Sequence, residues 1–171
     1  MRALVVSEST SGDAGRLAEA IAAGLRGSEG VERVDLVSAA EAPVALDAEI
    51  DLVVVGGSSS GPAASAPPGP VTHESTAPGE AAALAARGIR DWIRSVRMTA
   101  APVAAATFDT RTPGPRWHGS TARRAMRALI AKGFRSVEAP TSFTLAGVSG
   151  SLADGELERA RAWGATLTDD G

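Results

Sequence analysis

Near the start of the chain, Ser7, Ser9, Thr10 and Ser11 place four hydroxyls beside Gly12, directly after a short apolar run from Ala3 to Val6. Beyond them Leu17, Ile21 and Leu25 recur every four residues, the spacing of one helix face. Strand, small-residue turn and helix in that order are the pattern of an anion-binding site. The unpaired N–H groups of a helix start and the positive end of its dipole converge on whatever the turn holds, which favours a phosphate.

Other chemistry-bearing residues form weaker patterns. Gly57-Ser58-Ser59-Ser60-Gly61 matches the G-x-S-x-G of a hydrolase nucleophile elbow and follows a strand, but Pro62, Pro67 and Pro68 come next where the elbow needs a helix. It reads as a polar loop. His73-Glu74 and His118 lack metal-ligand spacing, and with no cysteine in the chain they read as solvated loop residues. Asparagine, glutamine and tyrosine are absent as well, so a ligand must be held by backbone groups, hydroxyls, carboxylates, arginines, histidines or Trp and Phe faces.

The elements that would position these residues alternate. Strands are expected at Ala3 to Val6, Val31 to Val37, Asp51 to Val55, Pro102 to Phe108 and Phe134 to Leu145, the last broken near Pro140. The Leu-Val-Val-Val run after Asp51 is of the sort buried on both faces of a parallel sheet, with Gly56-Gly57 read as its end. Helices are expected from after Gly12 to Leu25, over Glu80 to Val96, from an N-cap at Ser120 to a stop at Gly133 with Ala122, Met126, Leu129 and Ile130 inward, and over Asp154 to Leu167. Trp92 and Trp163 sit at helical spacing and read as packing groups. Segment 38–48 reads as a short helix or loop. Segments 58–79, rich in Ser, Ala, Gly and Pro, and 109–118 read as long loops.

At 171 residues this is a single α/β domain, long enough to bury about two-thirds of its unfolded surface. Alternation predicts a three-layer sandwich: a five-stranded parallel sheet in the order 2-1-3-4-5 with helices on both faces. In that order ligands sit beyond the carboxyl ends of the strands at the switch point, where the loops at 7–14, 56–79 and 109–118 should meet. Response-regulator domains share the topology, but they need an aspartate where this chain ends its third strand in Gly-Gly, and a lysine after the last strand where this chain has only Lys132.

Ser9-Thr10-Ser11-Gly12-Asp13-Ala14 resembles the phosphate loop of flavodoxins, usually [ST]-x-[ST]-G-x-T. The Gly-Gly after the third strand, Phe108-Asp109-Thr110-Arg111 after the fourth and the closing Leu152 to Gly164 extend the likeness to short-chain flavodoxin-like proteins of the actinobacterial type. The resemblance implies flavin mononucleotide (FMN), its phosphate held by Ser9, Thr10, Ser11, Gly12, Asp13 and Ala14. It implies a ring lying between the second and third loops, at Gly57, Ser58, Ser59, Phe108, Asp109, Thr110 and Trp117. Phe108 also reads as a core residue. Two positions depart from the pattern: Ala14 lacks the usual threonine hydroxyl, and Asp13 puts a carboxylate where asparagine is common.

The implied role is an electron carrier or the flavin domain of a reductase, working with a redox partner protein. A flavodoxin-fold protein that has lost FMN and serves as a binding or regulatory module is the rival reading, and an NAD(P)H-dependent reductase a third. No nucleic acid or membrane partner is expected. The net charge is −3, aromatics are few, and no apolar run reaches spanning length. The absence of cysteine and of a charged-then-apolar leader leads to the expectation of a cytoplasmic protein, monomeric or homodimeric. Charge is nevertheless uneven: residues 1–51 carry ten acids and four bases, whereas 109–135 carry seven bases against Asp109 alone. That basic stretch reads either as a solvated helix face or as a docking patch for an acidic partner.

Overall fold

The computed structural model describes residues 1–10, 12–58, 88–99, 102–112, 120–146 and 151–168. Nine strands and four helices lie among them. In chain order they are β1 (Arg2–Ser7), α1 (Gly12–Arg26), β2 (Arg33–Ser38), β3 (Ala45–Leu46), β4 (Leu52–Ser58), α2 (Ile89–Ser95), β5 (Arg97–Met98), β6 (Ala104–Arg111), α3 (Thr121–Ala131), β7 (Arg135–Ser136), β8 (Thr141–Ala146), β9 (Ser151–Leu152) and α4 (Glu156–Thr166).

The main sheet runs β2-β1-β4-β6-β8-β9, with β7 also pairing β6. Its five long strands are parallel and stand in the predicted order 2-1-3-4-5. Short pieces extend the prediction: β9 adds an antiparallel edge to β8, and β3 pairs with β5 in a separate two-stranded sheet. The break expected near Pro140 separates β7 from β8.

Period-two alternation along buried strands divides the core. Ala3, Val5 and Val54 face Leu17, Ile21 and Leu25 of α1 and Ala160 of α4, whereas Leu4, Val6, Val53 and Val55 face Trp92 and Ile93 of α2 and Met126 and Leu129 of α3. One sheet between two helical layers follows.

In the first layer the helices touch backbone to backbone. A Cβ added at Gly24 of α1 would run into the Arg161 carbonyl of α4, and one at Gly164 of α4 would run into the Ile21 carbonyl of α1. The closeness requires both glycines.

Several boundaries differ from expectation. Ile130, placed inward by sequence, is 50% exposed, because it stands one position around the helix from the buried Leu129. Segment 38–48 forms no helix; it carries β3 and the turn before it. Of the helix expected over 80–96, the described part is α2, and residues 80–87 lie outside the described residues.

Candidate functional site

The carboxyl ends of β1, β4 and β6 are held in one register. Ser7 pairs with Gly56, Gly56 with Phe108, Gly57 with Asp109 and Ser58 with Thr110. Residues read as loop in the sequence are therefore strand ends: β4 continues through both glycines to Ser58, and β6 through Asp109 and Thr110 to Arg111.

The glycines answer to packing. A Cβ on Gly56 would enter the Phe108 ring, and one on Gly57 would stand 2.6 Å from Cβ of Glu8. Phe108 itself is 1% exposed, edge-on to Phe143 at 6.3 Å and to Trp163 at 6.5 Å. Its ring belongs to the core between sheet and α4, which leaves its backbone as the part near the strand ends.

Out of β1 the chain turns at once. The buried Ser7 hydroxyl donates to the Ser9 carbonyl at 2.7 Å, and the Glu8 N–H donates to the Gly56 carbonyl at 3.1 Å. Gly12 opens α1 at φ 69°, a left-handed conformation that glycine adopts without strain, and the space where its Cβ would stand is open. Gly15, one turn on, lies against the Thr10 backbone so closely that a side chain would not fit. The Thr10 backbone thus lies against the first turn of the helix. Ala14 is buried there, and Asp13 pairs with Arg16 at 3.5 Å. A guanidinium one turn along the helix partly neutralises the carboxylate that stands where asparagine is common.

Two carboxylates at these strand ends have structural partners that spacing did not reveal. Asp109, 1% exposed, accepts hydrogen bonds from Ser120 Oγ at 2.8 Å, the Ala122 N–H at 2.9 Å and Ser142 Oγ at 2.6 Å. It joins the end of β6 to the start of α3 and to β8. The Thr107 hydroxyl adds a bond to the Ala122 carbonyl, and Ser120 caps α3 by accepting from the Arg123 N–H, as its position had suggested. Thr110 is buried alongside Asp109 in the strand. Glu8, not singled out from sequence, accepts from the Ile89 N–H at 3.2 Å and so caps α2 across the end of β4. An isolated acid after a strand carries no signal of that role.

A second anchor lies beside Asp109. Arg159 of α4 grips Glu156 through Nε and Nη2, donates to the Ser142 carbonyl at 2.7 Å, and lies 4.4 Å over the Phe143 ring. Glu156 also accepts from the Thr144 N–H at 2.7 Å. The Arg159 hydrogen bonds, chiefly, hold the Glu156 carboxyl below the ordinary carboxylate range, against the opposing effect of burial.

Of the predicted site residues, Ser9, Thr10, Gly12, Asp13, Ala14, Gly57, Ser58, Phe108, Asp109 and Thr110 occupy this one end of the sheet. Ser11, Ser59 and Trp117 lie outside the described residues, as do His73, Glu74 and His118. Among the described residues no group of three or more His, Cys, Asp or Glu could hold a metal ion, and no helix is long and apolar enough to cross a membrane.

A doubly wound parallel sheet with a small-residue turn opening its first helix defines a class of α/β protein. Within that class the chain has the flavodoxin-like fold. It is similar to oxidised flavodoxin 1 of Bacillus cereus at TM-score 0.61 and 16% identity, over 98% of this chain and 97% of that one. A flavodoxin from the domain Archaea superposes at 0.61 with 17% identity, covering 98% and 96%. A short-chain flavodoxin associated with a bacterial microcompartment does so at 0.58 with 16% identity, covering 99% of both. No protein-family model matches the chain, and no curated protein matches it in sequence.

Proposed function

We propose that this is an FMN-binding electron carrier or the flavin domain of a reductase. The observation that carries the reading is the setting of Ser9, Thr10 and Gly12 at the carboxyl end of β1: left-handed backbone at Gly12, and Thr10 packed against Gly15 of the first helical turn, at the end of the sheet that also holds Gly57 and Asp109. Its similarity in fold to flavodoxins over nearly the whole chain supports the same reading.

In that role Ser9, Thr10 and the backbone at the start of α1 hold the phosphate through hydroxyl and N–H donors, aided by the positive end of the helix dipole. The bound flavin supplies one- and two-electron transfer, and the protein supplies position and electrostatics. Gly57 and Ser58 stand at the strand end toward the ring edge, while the backbone of Phe108 to Thr110, paired with β4 on one side and β8 on the other, fixes the position of that edge. Asp109 serves by holding the ends of β6 and β8 and the start of α3 together, not by offering its carboxylate, whose oxygens are already taken.

Titration of the purified protein with FMN tests this directly. Binding at or below roughly tens of micromolar, read as quenched flavin fluorescence and a shifted visible spectrum, is expected; its absence overturns the reading and leaves a binding or regulatory module. Ala14→Thr restores a hydroxyl at the buried first turn and should tighten binding about 5- to 30-fold, the worth of a hydrogen bond contributing about 1–2 kcal/mol. Asp13→Asn should tighten it by less, since Arg16 already offsets the carboxylate.

A further inference from the structure

The charge of this chain is segregated in space. α2 and α3 lie in one layer, sharing the core of Trp92, Ile93, Met126 and Leu129, and Lys132 binds them at their ends by donating to the Arg94 carbonyl at 2.7 Å and the Val96 carbonyl at 3.2 Å. Outward, this layer presents Arg90 and Arg94 one turn apart on α2, and Arg123, Arg124 and Arg127 on α3, all exposed. Residues 88–99 and 120–136 contain a single acid, Asp91, which pairs with Arg94 at 3.0 Å. By contrast, segment 29–51 carries seven acids against Arg33 alone. Since the whole chain is at −3, the rest of the chain taken together is negative, and most of that excess lies in segment 29–51. An exposed apolar group, Ile130, stands one turn beyond Arg127.

We infer that the outer face of α2 and α3 is a docking surface for an acidic folded protein. Exposed arginines with an exposed isoleucine at the end of their row match the composition of a protein interface, where arginine is enriched and lysine is not. The face is nearly all arginine. A polynucleotide fits less well. Its charge would extend past this face onto the negative remainder of the chain, and among the described residues the aromatics of the layer, Trp92 and Phe134, are buried and offer no base a stacking plane. An acidic protein presents a finite patch that engages the arginines alone, and the charge separation of the chain turns this face toward it on approach. The proposal deepens the electron-carrier reading by naming the kind of partner. Docking itself depends on the arginines and Ile130 and needs no flavin.

Cytochrome c serves as a probe in two forms: native, with its basic surface, and lysine-succinylated, which turns the same haem protein acidic. Each is titrated calorimetrically into the protein with and without FMN, at low ionic strength. The succinylated form should bind despite the shared negative net charge, and Arg123→Glu/Arg127→Glu should weaken it at least tenfold, whereas Arg26→Glu/Arg161→Glu in the opposite layer should change it less than twofold. Ile130→Asp should weaken it and Ile130→Leu should not, with far-UV circular dichroism confirming that each variant is folded. No binding of the succinylated form overturns the proposal, as does indifference to the α3 reversal or tighter binding of a short DNA duplex than of the acidic protein. Binding that survives when FMN fails to bind upholds the docking surface and removes only the electron-carrier reading.

Discussion

A buried carboxylate with three donors is the most demanding single residue here. Asp109 is satisfied by Ser120, Ala122 and Ser142, so its removal leaves two hydroxyls and a helix-start N–H without their acceptor. Asp109→Ala should cost about 2–3 kcal/mol in urea unfolding and Asp109→Asn about 1–2 kcal/mol, because an amide keeps one acceptor oxygen. Glu156 acts through protonation. Its folded pKa is lowered, chiefly by Arg159, so its contribution is complete above the unfolded carboxylate value of about 4.3 and disappears as pH falls through the folded value. Wild type should therefore exceed Glu156→Gln by a constant margin above about pH 5, a margin that shrinks on acidification. Neither role was legible in the sequence. The partners of Asp109 lie 11, 13 and 33 positions away, and a carboxylate following a strand looks the same whether it faces a ligand or braces a helix.

At the scale of elements, alternation and helical spacing were enough to place the long strands and helices, because each buries a face that periodicity reports. Caps were legible where the chemistry is local: Ser120 bonds the N–H three residues on, and Gly133, at φ 94°, follows the end of α3. Strand ends were not. Glycine is ordinarily a stop signal, yet Gly56 and Gly57 continue β4, since the Phe108 ring and the Glu8 side chain occupy the space a Cβ would need. The contact of α1 with α4 tests the same argument. At an open helical position Gly→Ala stabilises by about 0.5–1 kcal/mol, whereas Gly24→Ala and Gly164→Ala should each destabilise by about 1–3 kcal/mol or more in thermal unfolding, because the new methyl meets a backbone carbonyl.

At the scale of the whole molecule, the sheet order brought the turn after β1 beside Gly57 and Asp109, which is how scattered small residues become one candidate site. The order was legible because right-handed crossovers leave few alternatives. The charge separation was visible as a sequence imbalance but became a surface only once α2 and α3 shared a layer. The close contact of α1 with α4 also constrains how the chain comes to be folded. The ribosome makes α1 before α4, and Gly164 follows Gly24 by 140 residues, so at about 5–20 residues per second the apolar flank of α1 waits roughly 10 seconds or more for its cover. During synthesis that flank is the surface a chaperone would meet, and closure of α4 on α1 completes the layer only once the strands and helices between them have emerged.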